Sequence, residues 1–144
     1  MLKNTDPLLT PDLLYILAAM GHGDEIAIVD ANFPAESMGE RTVRLDGVGA
    51  TQALDAVLSV FPLDDFVQAP AAVMAIVGKS DEEPETVSEF KASTAAAEGR
   101  PVEFQSVERF AFYDRTREAF AVLATGERRL YGNIILVKGI VRPE

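Results

Sequence analysis

The order of elements in this sequence predicts an α/β layered fold, a single domain with a mainly parallel central sheet flanked by helices. Three observations carry that reading. Segments with apolar residues at helical spacing alternate with short runs rich in isoleucine, valine and alanine. Two of those runs, EIAIVD and AAVMAIV, are apolar at every inner position, as a strand covered on both faces must be. Glycine, proline or aspartate punctuates most of the boundaries, so the connections are short.

The first helix is expected from Thr10 to Met20, with Thr10 as N-cap, Pro11 at the first helical position, Asp12 in the first turn and Gly21 as the stop. Leu13, Leu17 and Met20 share a face, which Leu14 and Ile16 widen. The buried strand EIAIVD follows and ends in Asp30. Thr42 to Leu45 reads as a weaker strand, and GATQALDAVLSVF as a helix whose Leu54, Val57, Leu58 and Phe61 form one stripe. Ala71 to Val77 is the second buried strand. In SDEEPETVSEFKASTAAAEG, acids near the start and Gly99 at the end follow the charge order that a helix dipole favours, so an exposed helix is expected. Val102 to Val107 alternates as a strand, and ERFAFYDRTREA reads as a helix with Phe110, Tyr113 and Arg117 on one side. AFAVLAT and GERRLYGNIILVKGIV read as a closing hairpin.

A length of 144 residues with 48% hydrophobic and 25% charged residues is the balance of one globular domain, residues 1–144. Thirteen basic against 23 acidic residues give a formal net charge of −10, which repels phosphate backbones and anionic membrane surfaces and so disfavours nucleic acid as a partner. The chain has no cysteine, which excludes disulfides and thiolate metal sites and fits a reducing compartment. The apolar part of MLKNTDPLLTPDLLYILAAMG is short and broken by Asp and Pro, so neither a signal peptide nor a membrane span is expected. A soluble cytoplasmic protein is the resulting expectation.

The segment GHGDEIAIVDANFP holds the only histidine, His22, between two glycines. An imidazole titrates near neutrality and can give or take a proton, and flanking glycines let a ligand approach closely. The spacing equally describes an ordinary loop histidine after a helix stop. Asp30, before Ala-Asn-Phe-Pro, can orient an imidazole or accept hydrogen bonds from a hydroxylated ligand, or can close an Asx turn. One histidine with scattered carboxylates lacks the ligand spacing of a zinc centre, so no metal is expected. LDGVGATQALDAV has neither the Lys-Ser/Thr ending of a phosphate-binding loop nor the full dinucleotide fingerprint. At a strand entrance, Tyr131, Gly132 and Asn133 offer a phenol and an amide to a polyol, or make a turn.

Three blocks, MGHGDEIAIVDANFPA, FPLDDFVQAPAAVM and ERFAFYDRTREAFAVLATGERRLYGNIILVKG, resemble the ribose pyranase and L-fucose mutarotase family of sugar-interconverting proteins. The likeness runs from the N-terminus to about Lys138 and is weakest from Gly78 to Pro101. It implies an α/β fold and the interconversion of a free monosaccharide's anomers without a cofactor. It also implies ring-like homo-oligomers with sites between subunits. Carried over, His22 in GHGD would be the catalytic acid/base, with Asp30 beside it in the pocket and Tyr113 as a second contact or proton relay. Tyr131 and Asn133 of the YGN motif would hold sugar hydroxyls, and Asp64 and Met74 would be outer contacts. Arg109 implies the L-fucose branch rather than the ribose branch, where a histidine tends to stand near this place. The competing expectation is a sugar-binding accessory of a transport or catabolic system, which needs the hydroxyl-binding residues but no proton carrier.

Overall fold

A computed structural model describes residues 1–144. Its elements are, in chain order, α1 (Pro11–Ala19), β1 (Glu25–Val29), α2 (Ala35–Met38), β2 (Thr42–Leu45), α3 (Ala50–Leu58), β3 (Ala71–Met74), α4 (Glu85–Glu98), β4 (Phe104–Val107), α5 (Arg109–Glu118), β5 (Ala121–Thr125) and β6 (Ile134–Val137). The strands form one six-stranded sheet in the order β2-β5-β1-β6-β3-β4. β2, β5 and β1 pair in parallel, as do β3 and β4, and β6 runs antiparallel between β1 and β3. The mainly parallel sheet is therefore present, with one reversed strand at its centre.

Alternation along each strand divides the core in two. Ile26, Ile28, Val73, Leu123, Ile134 and Leu136 face a layer formed by α1, α3 and α4. Ala27, Val29, Ala72, Val122 and Ile135 face Phe33 and Ala35 on one side and Phe112 of α5 on the other. Small residues on this second face let α2 and α5 pack close to the sheet. No helix is long and apolar enough to cross a membrane.

Three expectations need correction. β5 and β6 are not a hairpin: β1 is inserted between them, parallel to β5 and antiparallel to β6. The connection Gly126–Asn133 must therefore cross the C-terminal end of β1. Helix α4 is not wholly exposed, since Thr86, Val87, Phe90 and Thr94 are buried. Helix α1 does not stop on a left-handed glycine; its C-cap, Met20, is extended. The Lys138 ammonium donates to the free carbonyls of Leu17 and Met20 instead, a cation at the negative end of the helix. The four-residue α2 had no periodic signal and was not anticipated.

Candidate functional site

The eight residues singled out in the sequence fall into two groups at opposite ends of β1. His22 and Asp64 meet at its N-terminal end. Gly23, with φ +87°, turns the chain into β1, and its amide donates to the Lys138 carbonyl at 2.8 Å. On the other side of Lys138, the Asp64 amide donates to Val137 O at 3.0 Å and the Gly139 amide to Pro62 O at 2.8 Å. A Cβ on Gly139 would lie 2.5 Å from Leu63 O, so only glycine permits this approach. The segment Val137–Gly139 thus holds the GHGD and PLDD loops side by side.

That arrangement brings His22 Nε2 to 2.9 Å from Asp64 Oδ1. The Asp64 side chain is 3% exposed and that of His22 42% exposed. The same carboxylate oxygen accepts the Phe66 amide at 3.2 Å, and the Phe66 ring lies tilted against the imidazole at 4.9 Å between centroids. With a carboxylate as partner, Nε2 carries the hydrogen, leaving Nδ1 as the acceptor. Asp64, expected as an outer contact, is thus buried and directed at the imidazole.

Asp30, Met74, Arg109, Tyr113, Tyr131 and Asn133 line one cleft of about 270 Å³ at the C-terminal end of β1, just below the usual range of small-molecule pockets. Its position follows from topology, because β1 and β3 end here, α5 begins here after β4, and the Gly126–Asn133 connection enters β6 here. Asp30 is 6% exposed. Burial raises its pKa above the ordinary carboxylate value, opposed by hydrogen bonds from the Asn32 amide and from Asn133. Asp30 Oδ1 accepts that Asn32 amide at 3.0 Å, so it closes an Asx turn and lines the cleft at once. Its own amide donates to Asn133 Oδ1 at 2.8 Å, which fixes the carboxamide and leaves Asn133 Nδ2 as a donor.

The two phenols are oriented in the same way. Tyr131 Oη accepts the Val77 amide at 3.0 Å, and Tyr113 Oη accepts Arg109 Nε at 3.1 Å, so each hydroxyl proton is free to donate. The Tyr113 bond raises the pKa of the always-protonated Arg109 further. Glu108 caps α5 by accepting the Phe110 and Ala111 amides, each at 3.0 Å, and those bonds lower its pKa. The cap fixes the helix turn that presents Arg109 and Tyr113. The apolar part of the cleft lining is formed by Phe33, Met74, Val77 and Leu130.

The chain matches the RbsD / FucU transport protein family over residues 3–141. It belongs to that family. A fucose mutarotase of Homo sapiens is 47% identical over 146 residues, covering 97% of this chain and 94% of that protein. An L-fucose mutarotase of Actinobacillus pleuropneumoniae serotype 5b (strain L20) is 42% identical over 140 residues, covering 97% of both. The crystal structure of the fucose mutarotase of Streptococcus pneumoniae in complex with L-fucose superposes with a TM-score of 0.90 and 37% identity, covering 98% of this chain and all of that one.

Within one RbsD / FucU chain, His22 and Asp30 stand apart. Asp30 does not lie beside His22 in the same subunit, because β1 and its flanking residues separate them by roughly 20 Å at strand rise. The reason is geometric: His22 precedes the strand and Asp30 follows it. Phe66 beside His22 and Phe33, Val77 and Leu130 in the cleft were missed in the sequence. Phe66 follows Asp64 by two residues in PLDDFV, which was the available signal. Phe33 carried another, since it follows Asp30 in the turn and meets Tyr113 edge-on at 5.4 Å between centroids. No group of three or more His, Cys, Asp or Glu side chains gathers in a metal-ligand arrangement.

Proposed function

We propose that this protein is a cofactor-independent sugar mutarotase, an isomerase that interconverts the anomers of free L-fucose, with D-ribose as a weaker substrate. The observation that carries the reading is the cleft in which the oriented donors and acceptors of Asp30, Arg109, Tyr113, Tyr131 and Asn133 converge with the apolar side chains of Phe33, Met74, Val77 and Leu130. A pyranose ring bearing a methyl group needs both kinds of lining. The relatives named fucose mutarotase align with nearly the whole chain, which supports the same assignment.

The proposed reaction needs two proton carriers. One group protonates the ring oxygen while another takes the proton of the anomeric hydroxyl; the C1–O5 bond breaks and O1 becomes the aldehyde oxygen. Rotation about C1–C2 and the reverse proton transfers close the ring on the other carbonyl face. His22, through Nδ1, and Tyr113 are the proposed carriers, and Asp64 holds His22 in the required tautomer. Asp30, Tyr131 and Asn133 hold hydroxyls, and Arg109 orients Tyr113.

His22 and the cleft lie at opposite ends of β1 in one chain, so the complete site is proposed to form between subunits of a ring-like homo-oligomer. Each His22 edge would then close a neighbour's cleft. Exposed Phe66 and Val67 beside His22, and exposed Val77, Phe110 and Leu130 at the cleft mouth, supply apolar surface for that contact. The cytoplasm is the proposed compartment, consistent with a chain free of cysteine.

Exchange-spectroscopy NMR on equilibrated L-fucose and D-ribose tests the reading directly. Wild type should accelerate anomer exchange, most for L-fucose, and His22→Ala should remove the acceleration without unfolding the chain. Sugar binding with no acceleration would instead identify a sugar-binding accessory and withdraw the catalytic role of His22.

A further inference from the structure

The turn Tyr131–Asn133 is held by residues that never reach the cleft. Glu127, 7% exposed, sits behind it at the start of the β5–β6 connection. Its carboxylate accepts the Ala50 amide at the N-terminus of α3 at 3.3 Å, the Arg129 amide at 3.2 Å, and Arg129 Nε and Nη2 at 3.2 and 2.9 Å. The Arg129 guanidinium continues to Glu89 of α4 through bonds of 2.6 and 3.0 Å, with Glu85 3.8 Å away, and Glu89 also accepts the Thr51 hydroxyl at 2.6 Å. One connected ionic network therefore ties α3, α4 and the loop together.

The network bears directly on the sugar-binding turn. A Cβ on Gly132 would lie 2.8 Å from Glu127 Cγ and 3.6 Å from Asp30 Cβ, so the turn rests on the Glu127 stem and against Asp30. Glu127 O accepts the Ala31 amide at 2.8 Å, which joins the same residue to the end of β1. Tyr131 is one of two non-glycine residues with positive φ, at +61°, a conformation that costs energy and persists only when neighbouring bonds impose it. Part of that restraint is the Thr86 hydroxyl of α4, which donates to Tyr131 O at 3.4 Å. Gly126 opens the loop where a Cβ would lie 2.0 Å from Asp46 O, so the loop is seated on the segment leading into α3 as well.

We infer that Glu127 and Arg129, braced by Glu89, are positioning residues that set the affinity of the cleft for its sugar by holding Tyr131 and Asn133 in place. The inference rests on the proposed mutarotase function, yet its structural half can be read without sugar. A bidentate guanidinium between two carboxylates defines distance and direction together, which a point charge does not. Arg129 is therefore the residue whose replacement loosens the turn most selectively.

The test compares wild type with Arg129→Met, Arg129→Lys and Glu89→Gln in two arms. In the first, amide hydrogen exchange is followed without sugar, using the Asp30 amide, whose acceptor is Asn133 Oδ1, as the reporter. Arg129→Met should speed its exchange about tenfold while the Ile26 and Ile28 amides of β1 keep their rates, the signature of local rather than global opening. In the second, the half-saturating L-fucose concentration should rise about tenfold with the rate at saturation changed less than about twofold, and Arg129→Lys should recover part of the loss. An unchanged Asp30 amide, a uniform acceleration of all amides, or an unchanged half-saturation point would each overturn the inference. If Arg129→Met does not fold, Glu89→Gln applies the same criteria with a smaller expected change. If wild type does not act on L-fucose, the functional reading fails, and the Asp30 amide still decides whether the network holds the turn.

Discussion

Asp64 Oδ1 lies 2.9 Å from His22 Nε2 while also accepting the Phe66 amide, so one buried carboxylate oxygen fixes both the ring and the loop beside it. Asp64→Asn can keep both acceptor bonds with its amide oxygen and removes only the charge. It should slow L-fucose anomer exchange roughly tenfold, less than the 10²- to 10⁴-fold that loss of a general acid–base group removes. Asp64→Leu removes charge and acceptor together and should approach the rate of His22→Ala. Equal rates in wild type and Asp64→Asn, measured by exchange NMR, would show that orientation alone is sufficient.

Tyr131→Phe separates binding from folding. Its hydroxyl accepts the Val77 amide, which lies at the exposed mouth of the cleft and can turn to water when the phenol is gone. Stability should change by no more than about 0.5 kcal/mol. A sugar hydroxyl that loses its partner should weaken binding by about 1 kcal/mol or more, roughly a fivefold or greater change in L-fucose affinity by titration calorimetry. Unchanged affinity would remove Tyr131 from the site.

Much of this architecture was legible in the sequence because the signals were local. Thr10 caps α1 by accepting the Leu13 amide, and β1 is buried on both faces as EIAIVD implied. The hairpin reading failed because β5 and β6 are adjacent in sequence, and adjacency does not show that β1 will enter between them. Six of the eight candidate residues gather in one cleft, and the remaining pair, His22 and Asp64, meets 42 positions apart in sequence through the backbone of Val137–Gly139. A pairing made by main-chain bonds to a third segment leaves no side-chain pattern to read. The Glu127–Arg129–Glu89 network escaped for a similar reason, since charged residues on a loop and a helix ordinarily read as solvated faces.

Asp30→Asn should expose a conflict between stability and function. Burial raises the pKa of Asp30, so the fold favours its neutral form. The sign follows: the favourable contribution is complete below the ordinary aspartate range and is lost as pH rises through the raised folded value. Asparagine has no charge to desolvate, so urea midpoints of Asp30→Asn relative to wild type should improve between pH 3 and pH 7, while L-fucose affinity at pH 7 falls. A stability difference that does not vary with pH would mean that Asp30 is not held against its ionisation.

The opposed placement of His22 and the cleft makes a prediction that a site within one chain cannot satisfy. If each site takes His22 from one subunit and Tyr131 with Arg109 from the next, then His22→Ala chains retain intact clefts and Arg109→Ala chains retain intact imidazoles. Neither variant alone should accelerate L-fucose exchange. Dissociated, mixed in equal amounts and reassembled, they should form rings in which about one quarter of the interfaces pair a wild-type edge with a wild-type cleft, with activity restored in that proportion. A mixture as inactive as its components, in rings shown by native mass spectrometry to contain both chains, would place the proton carrier for each cleft within its own subunit. His22 would then lose its assignment, and Tyr113, whose phenol already faces the cleft beside Arg109, would be the leading candidate.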